Sequence, residues 1–152
     1  MNAAAAIQPP RTPAEWAAYY ALRYAVLRQP WQQPPGSEYV PADDEPGTIH
    51  ALLLAAPAAA PQALAVGMLQ PTGTGQGQIR FMAVAPAAAG TGLGRQVVAY
   101  LEAQARAAGI TEIVLHSREA AVSFYEKLGY TVVEPSHLLF GVIPHFLMRK
   151  QL

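Results

Sequence analysis

The stretch with the clearest chemical potential is Phe81-Met-Ala-Val-Ala-Pro-Ala-Ala-Ala-Gly-Thr-Gly-Leu-Gly-Arg95. It reads as a strand stopped by Pro86, then a glycine-rich loop, then the first turn of a helix. A helix start carries N–H donors without intrahelical partners and the positive end of the helix dipole. Gly90, Gly92 and Gly94 let a ligand approach that backbone closely, so a phosphate or pyrophosphate is the natural guest, with Arg95 adding a charge contact. The competing account is a tight strand–helix turn that holds no ligand. Two nucleotide motifs fail here. A dinucleotide fingerprint needs G-x-G-x-x-G, and counting from Gly92 puts Val97 at the third glycine position. The next strand then ends in His116-Ser117, where that fingerprint wants an acid. A P-loop needs Gly-Lys-Ser/Thr, whereas Gly94 is followed by Arg95-Gln96.

The elements that must position this loop are legible around it. Thr12 can cap a helix with Pro13 at its first position and Glu15 reaching back in a capping box; Trp16, Tyr19, Tyr20, Arg23 and Leu27 continue at helical spacing. Residues 3–8 could form a short strand before it. Residues 29–47, rich in Pro, Gln and acids, read as a long loop. Residues 48–56 and 62–70 predict an antiparallel hairpin, and 71–77 a second turn leading into a strand over 78–85. Leu93, Val97, Leu101 and Ala105 form one apolar stripe of the next helix, Glu102 and Arg106 an i,i+4 pair, and Gly109 its C-terminal stop. A strand over 111–116, a helix over 118–128 between Ser117 and Gly129, and strands at 130–134 and 143–150 complete the pattern. This order predicts one mixed α/β (α+β) domain over residues 1–152.

Composition narrows the function. Ten basic and ten acidic side chains in 152 residues give zero net charge, without the basic cluster a nucleic-acid binder needs. The absence of cysteine excludes a disulfide scaffold, a thiolate metal site and a cysteine nucleophile, and no metal is expected. Although 52% of the chain is hydrophobic, 30 residues are alanine, and no apolar run reaches the ~18 residues of a membrane span. Residues 1–10 lack the basic start and long apolar run of a signal peptide, so a cytoplasmic location with no membrane partner is expected.

Val84-Ala-Pro followed by Gly90-Thr-Gly-Leu-Gly-Arg95 resembles the acetyl-CoA signature, Gln/Arg-x-x-Gly-x-Gly/Ala, of the GNAT superfamily of N-acetyltransferases. At the expected distance, Ala121-Val-Ser-Phe-Tyr125-Glu-Lys-Leu-Gly129-Tyr130 is similar to that family's Ala-x-x-Phe-Tyr-x-x-x-Gly-Phe/Tyr helix. Ile143-Pro-His145-Phe-Leu-Met148 and Leu22-Arg-x-x-Val26 more loosely resemble the ElaA-like branch of small bacterial members. The chain departs from the pattern at Ala89, where the family has Gln or Arg, and at Arg118, where it has Asn.

The resemblance implies a GNAT fold, with a mixed six- to seven-stranded central sheet flanked by helices. It implies acetyl-CoA as acyl donor and direct attack by a primary amine, from a small molecule or a peptide, through a tetrahedral intermediate. It places the donor against Met82, Ala83, Val84, Gly90, Thr91, Gly92, Leu93, Gly94, Arg95, Tyr125 and Lys127. The backbone N–H of Val84 would stabilise the oxyanion, and Tyr125 would serve as general acid or thiolate hydrogen-bond donor. The carboxylate base that many members carry on the strand over 78–85 is missing: the neighbourhood is Gln76, Gln78 and Arg80. His50 and His145 could draw a proton through water instead. His116 and His137 read as structural or surface residues. Glu38, Asp43, Asp44 and Glu45 could attract a cationic amine or form a solvated acidic loop, and Trp31 and Tyr39 could line an acceptor pocket or cover the core. A non-catalytic module that binds acyl-CoA is the alternative. The apolar segment 138–148 could supply a homodimer interface, with burial in its own sheet the simpler account.

Overall fold

The computed structural model describes residues 6–55 and 60–152. The first helix, α1 (Pro13–Leu27), starts where the cap predicts it: the Glu15 N–H donates to Thr12 Oγ1 at 3.1 Å. The Glu15 carboxylate accepts from the Arg11 N–H at 2.9 Å, one residue ahead of the bond a capping box would make. Six strands follow: β1 (Ile49–Leu54), β2 (Ala63–Gly73), β3 (Gln76–Val84), β4 (Glu112–Arg118), β5 (Thr131–Leu139) and β6 (Ile143–Gln151). The helices α2 (Leu93–Ala107) and α3 (Val122–Lys127) come after β3 and β4. Residues 3–5 of the expected leading strand lie outside the described residues; of the remainder, Gln8 forms a single bridge with Leu52.

The sheet runs β1-β2-β3-β4-β6-β5, with β3 and β4 parallel and every other pair antiparallel. One face buries Leu52, Val66 and Ala83 under α1; the other buries Ala51, Leu69, Ile79, Ile113 and Met148 under α2 and α3. The alternation of Ala51, Leu52 and Leu53 between these cores is the period of 2 that a two-sided sheet requires. The stripe on α2 does its expected work: Val97, Leu101 and Ala105 are fully buried. Burial of a side chain such as Leu101 is worth about 1.5–3 kcal/mol.

Two local expectations give way to longer-range partners, while β2 runs on to Gly73 and β5 to Leu139, past the ends expected for them. The helix after β4 does not begin at Arg118, because β4 continues through Arg118 in register with His145 of β6. Ser117 therefore donates from Oγ to the Arg118 carbonyl instead of capping a helix, and a 3-10 turn (Glu119–Ala121) precedes the six-residue α3. Glu102 does not pair with Arg106. It turns inward, accepting from Tyr130 Oη at 2.8 Å and from Lys150 Nζ at 3.0 Å. The i,i+4 spacing offered only an exposed pair of small value, and the buried partners win.

The feature that makes room for a site is the divergence of β3 from β4. They pair only from Gln76 to Ile79 against Glu112 to Leu115. Just beyond, β2 and β3 slip register between Val66 and Met68, so that Phe81 and Met82 together oppose Gly67. Phe81 sits at φ +56°, a left-handed conformation that costs a non-glycine residue energy and bends the strand. The halves Arg80–Val84 and His116–Arg118 consequently splay apart. Gly67 is required opposite this bulge: a Cβ there would lie 2.5 Å from Met82 Sδ and 2.8 Å from Val97 Cγ1. A Gly67→Ala variant is expected to lose about 1–3 kcal/mol of stability by overpacking, seen as a lower urea midpoint. Unchanged stability would show that Met82 and Val97 yield freely.

Candidate active site

The splayed strands open into two adjoining chambers. The first, ≈ 590 Å³, lies between the end of β3, the start of α2 and α3. Gly90 at φ +77° and Gly92 at φ +85° turn the chain into α2 through left-handed conformations. The first amide of this turn to bond back is that of Gln96, to the Gly92 carbonyl at 3.2 Å, so the Leu93, Gly94 and Arg95 N–H groups are left at the helix mouth. Gly94 also lets the helix end approach α3: a Cβ there would stand 3.2 Å from Phe124 Cζ. Of the residues the family signature points to, Met82, Ala83, Val84, Gly90, Gly92, Leu93, Gly94, Arg95, Tyr125 and Lys127 all line this chamber. Thr91 does not; its hydroxyl donates to the Ala88 carbonyl and braces the loop. The Ala85 N–H donates to Leu64 of β2 at 2.8 Å. Strand alternation therefore turns the Val84 N–H away from β2, toward the opening.

The second chamber, ≈ 450 Å³, lies across the other face of the split. Met82, Arg118, Ala121 and Tyr125 line both chambers and form their junction. Tyr125 is held there by edge-on contacts with Phe124 (4.9 Å) and Tyr130 (5.8 Å). Burial pushes its hydroxyl up to about 12, against a partly opposing effect of Arg118. It is thus a protonated donor throughout the neutral range.

The walls of the second chamber are cationic. Arg28 at the end of α1, Arg80 on β3 and Arg118 on β4 line it with His116, His137 and His145, and no Asp or Glu does. Arg28 and Arg80 both lie over the Phe81 ring, at 5.3 and 5.0 Å. Neither has a carboxylate partner among the described residues. Burial lowers both below the ordinary arginine value, Arg80 against the raising effect of the Asp43 carboxylate and with Arg23 adding to the lowering. For Arg28, Arg23 and Arg80 add to it and Glu38 opposes; a guanidinium stays charged nonetheless. His137 stacks on His145 at 4.5 Å and 15°, and His116 meets His137 at 5.3 Å. His145 Nδ1 lies 2.9 Å from the Ile143 carbonyl, which accepts, so this nitrogen carries the proton and Nε2 of the neutral ring keeps its lone pair. Trp31 lines this chamber, whereas Tyr39 is exposed and packs on Tyr20.

His50 is not brought to either chamber. It is buried under α1, with Nδ1 2.8 Å from Tyr19 Oη and Nε2 donating to the Asp43 carbonyl at 3.0 Å. The acidic loop is also directed elsewhere. Asp43 is fully engaged with Arg23, the Glu38 carboxylate accepts from the Gly36 N–H, and Glu45 accepts from Gln70. Sequence reasoning missed the cationic wall because its members lie on α1, β3, β4, β5 and β6. The available signal was Gln78 with Arg80, and His116 with Arg118: polar alternation on strands central to a sheet.

Burial holds His50 and His145 below the ordinary imidazole value of 6.5, and partial desolvation with the neighbouring positive groups lowers the more exposed His116. Unfolding frees all three to take up protons, so their contribution is fully present above about pH 6.5 and is lost as the pH falls below it. Urea midpoints are expected to fall between pH 7.5 and 5.5, with a shallower slope in His50→Gln. Equal slopes would remove His50 from this account.

A family model for the GNAT acetyltransferase domain matches residues 51–152, about two thirds of the chain, and the chain belongs to this family. A Bacillus subtilis (strain 168) protein named as a candidate acetyltransferase is 45% identical over 60 residues, covering 40% of each chain. The match thus spans well under half of that relative's length. An acyl-CoA N-acyltransferase from Pseudomonas aeruginosa superposes with a TM-score of 0.78 at 26% identity, over 95% of this chain and 97% of that one. Escherichia coli ElaA shares the fold, with a TM-score of 0.77 at 18% identity, over 96% and 97% of the two chains. Among the described residues, no group of three or more His, Asp or Glu could hold a metal ion. Among the described residues, no helix is long and apolar enough to cross a membrane.

Proposed function

We propose that this protein is an acetyl-CoA-dependent N-acetyltransferase whose acceptor is a small primary amine carrying an anionic group. Family membership supports the reaction class, and the two chambers meeting at Tyr125 support transfer between a donor side and an acceptor side. The donor side fits its ligand by its own chemistry: unbonded helix-start N–H groups for a pyrophosphate, and a mouth that a Cβ at Gly94 would narrow. Bound acetyl-CoA supplies the activated acyl group. The Val84 N–H stabilises negative charge developing on the carbonyl oxygen. Tyr125 donates a hydrogen bond to the departing sulfur. With its hydroxyl at about 12 and an alkyl thiol near 8.5, complete proton transfer is uphill, so charge stabilisation is its main contribution. His145 Nε2 receives the proton of the attacking ammonium group.

One observation carries the acceptor class: three guanidinium groups line the second chamber without a carboxylate among them. A cationic polyamine would meet like charge there. A carboxylate or phosphonate instead gains charge-assisted hydrogen bonds worth about 1.5–3 kcal/mol each.

Matched amine pairs test this reading in a thiol-release assay: β-alanine against propylamine, and 2-aminoethylphosphonate against ethylamine. The anionic member of each pair is expected to show kcat/KM at least about tenfold higher, and Arg80→Gln to erase the preference. Preference for the neutral amines or for spermidine overturns the acceptor class. Failure of both CoA and acetyl-CoA to bind at millimolar concentration overturns the donor. Tight acetyl-CoA binding without turnover on any amine favours a binding module.

A further inference from the structure

The three histidines of the second chamber sit on three adjacent strands, β4, β6 and β5, yet only His145 has a part in the reaction proposed above. His145 is buried, with Nδ1 tied to the Ile143 carbonyl, while His137 is exposed on the edge strand β5 and stacks face to face on it. Rings stacked at 15° present no N–H to each other's lone pair, so no proton passes between them. What they share is charge: two imidazolium rings with centroids 4.5 Å apart repel strongly in a partly desolvated chamber.

We propose that His137 is a positioning residue for the acyl transfer: by stacking on His145 it fixes that ring and makes a second positive charge there costly, leaving Nε2 free to take the ammonium proton. The inference rests on the acceptor-side reading of His145. The proton balance is simple. The ammonium N–H bond breaks and its proton moves to His145 Nε2. The freed lone pair forms the C–N bond, and the C–S bond breaks with its electron pair leaving on sulfur. The second proton of the now cationic nitrogen passes to that thiolate, and the imidazolium returns its proton to water.

The surroundings act in the same sense. The charged and titratable groups facing His145 are His116 and Arg118 from β4, His137 from β5, Arg80 across the split on β3, Arg28 from the end of α1 and the Tyr125 hydroxyl from α3. None is a carboxylate. His145 lies below the ordinary imidazole range chiefly through burial, with His137 and Arg118 lowering it further and its bond to Ile143 opposing them. His137 is the one imidazole in direct stacking contact with it.

The test is a histidine Cε1–H NMR titration of the full chain in three forms: native, His137→Gln and His137→Phe. Both substitutions lie on an exposed strand position, and the phenylalanine retains a stacked ring without a titrating nitrogen. The His145 midpoint is expected to rise by about half a pH unit or more in both variants, and the acid limb of kcat/KM for β-alanine to rise with it. A His145 midpoint that stays in place in both variants overturns the proposal. A midpoint that rises while the acid limb stays put upholds the charge coupling but removes His145 as base, a failure of the functional reading distinct from failure of the His137–His145 coupling.

Discussion

Replacing Asp43 with alanine is expected to destabilise the fold by about 3–5 kcal/mol, the cost of leaving a buried charge without its partner. Arg23 is wholly buried, and its Nη1 donates to both Asp43 oxygens, at 2.9 and 3.1 Å, and to the Glu38 carbonyl. Its Nη2 donates to Tyr19 Oη at 2.9 Å, and among the described residues its Nε has no partner and no second carboxylate pairs with it. Asp43 also accepts from the Val40 N–H at 3.0 Å, which orders the loop ahead of β1. The consequence reaches the site through Phe81, whose left-handed backbone marks the β3 bulge and whose ring lies 4.2 Å from the Arg23 guanidinium. Denaturant unfolding of Asp43→Ala and of the double variant Arg23→Met/Asp43→Leu measures this. The single variant is expected to be far less stable than the native chain and the double variant to recover much of the loss, since an apolar pair leaves no uncompensated charge. A mild loss in the single variant would mean that water reaches Arg23.

Tyr125→Phe is expected to lower kcat by about a hundredfold or more, with little change in stability or in acetyl-CoA affinity. The ring contacts with Phe124 and Tyr130 survive, and only the hydroxyl at the chamber junction is removed. A hydrogen bond needed only once charge builds on sulfur affects kcat, whereas a packing residue affects folding. Thiol-release kinetics beside a thermal melt separate the two. An unchanged kcat with a lowered melting temperature would reduce Tyr125 to a packing residue.

How much was legible beforehand depends on the range of the physics involved. The cap at Thr12, the stripe of α2 and the stops at Gly109 and Gly129 are set by neighbours within a turn or two, and the structure bears them out. The Ser117 cap and the Glu102–Arg106 pair were equally local in form but lost to longer-range partners: β6 claims the backbone through Arg118, and Tyr130 and Lys150 claim Glu102. The acidic loop shows the same limit. Asp43, Asp44 and Glu45 read as three similar charges, and only the position of Arg23 on α1 singles out Asp43 as an interior counter-ion.

The lining of the first chamber is written in contiguous stretches of the chain. Its glycines, the helix start behind them and the Phe-Tyr helix are contiguous stretches, and a loop built from backbone N–H groups is specified by where glycine and proline allow the chain to turn. The lining of the second chamber depends on contacts between segments distant in the chain. Arg28, Arg80, Arg118, His116, His137 and His145 come together only because the Phe81 bulge parts β3 from β4 and because β6 inserts between β4 and β5. No local pattern records that strand order, which is set by pairings between segments far apart in the chain. The sequence therefore left the base open between His50 and His145, and the order of the strands put His50 under α1 and His145 in the second chamber.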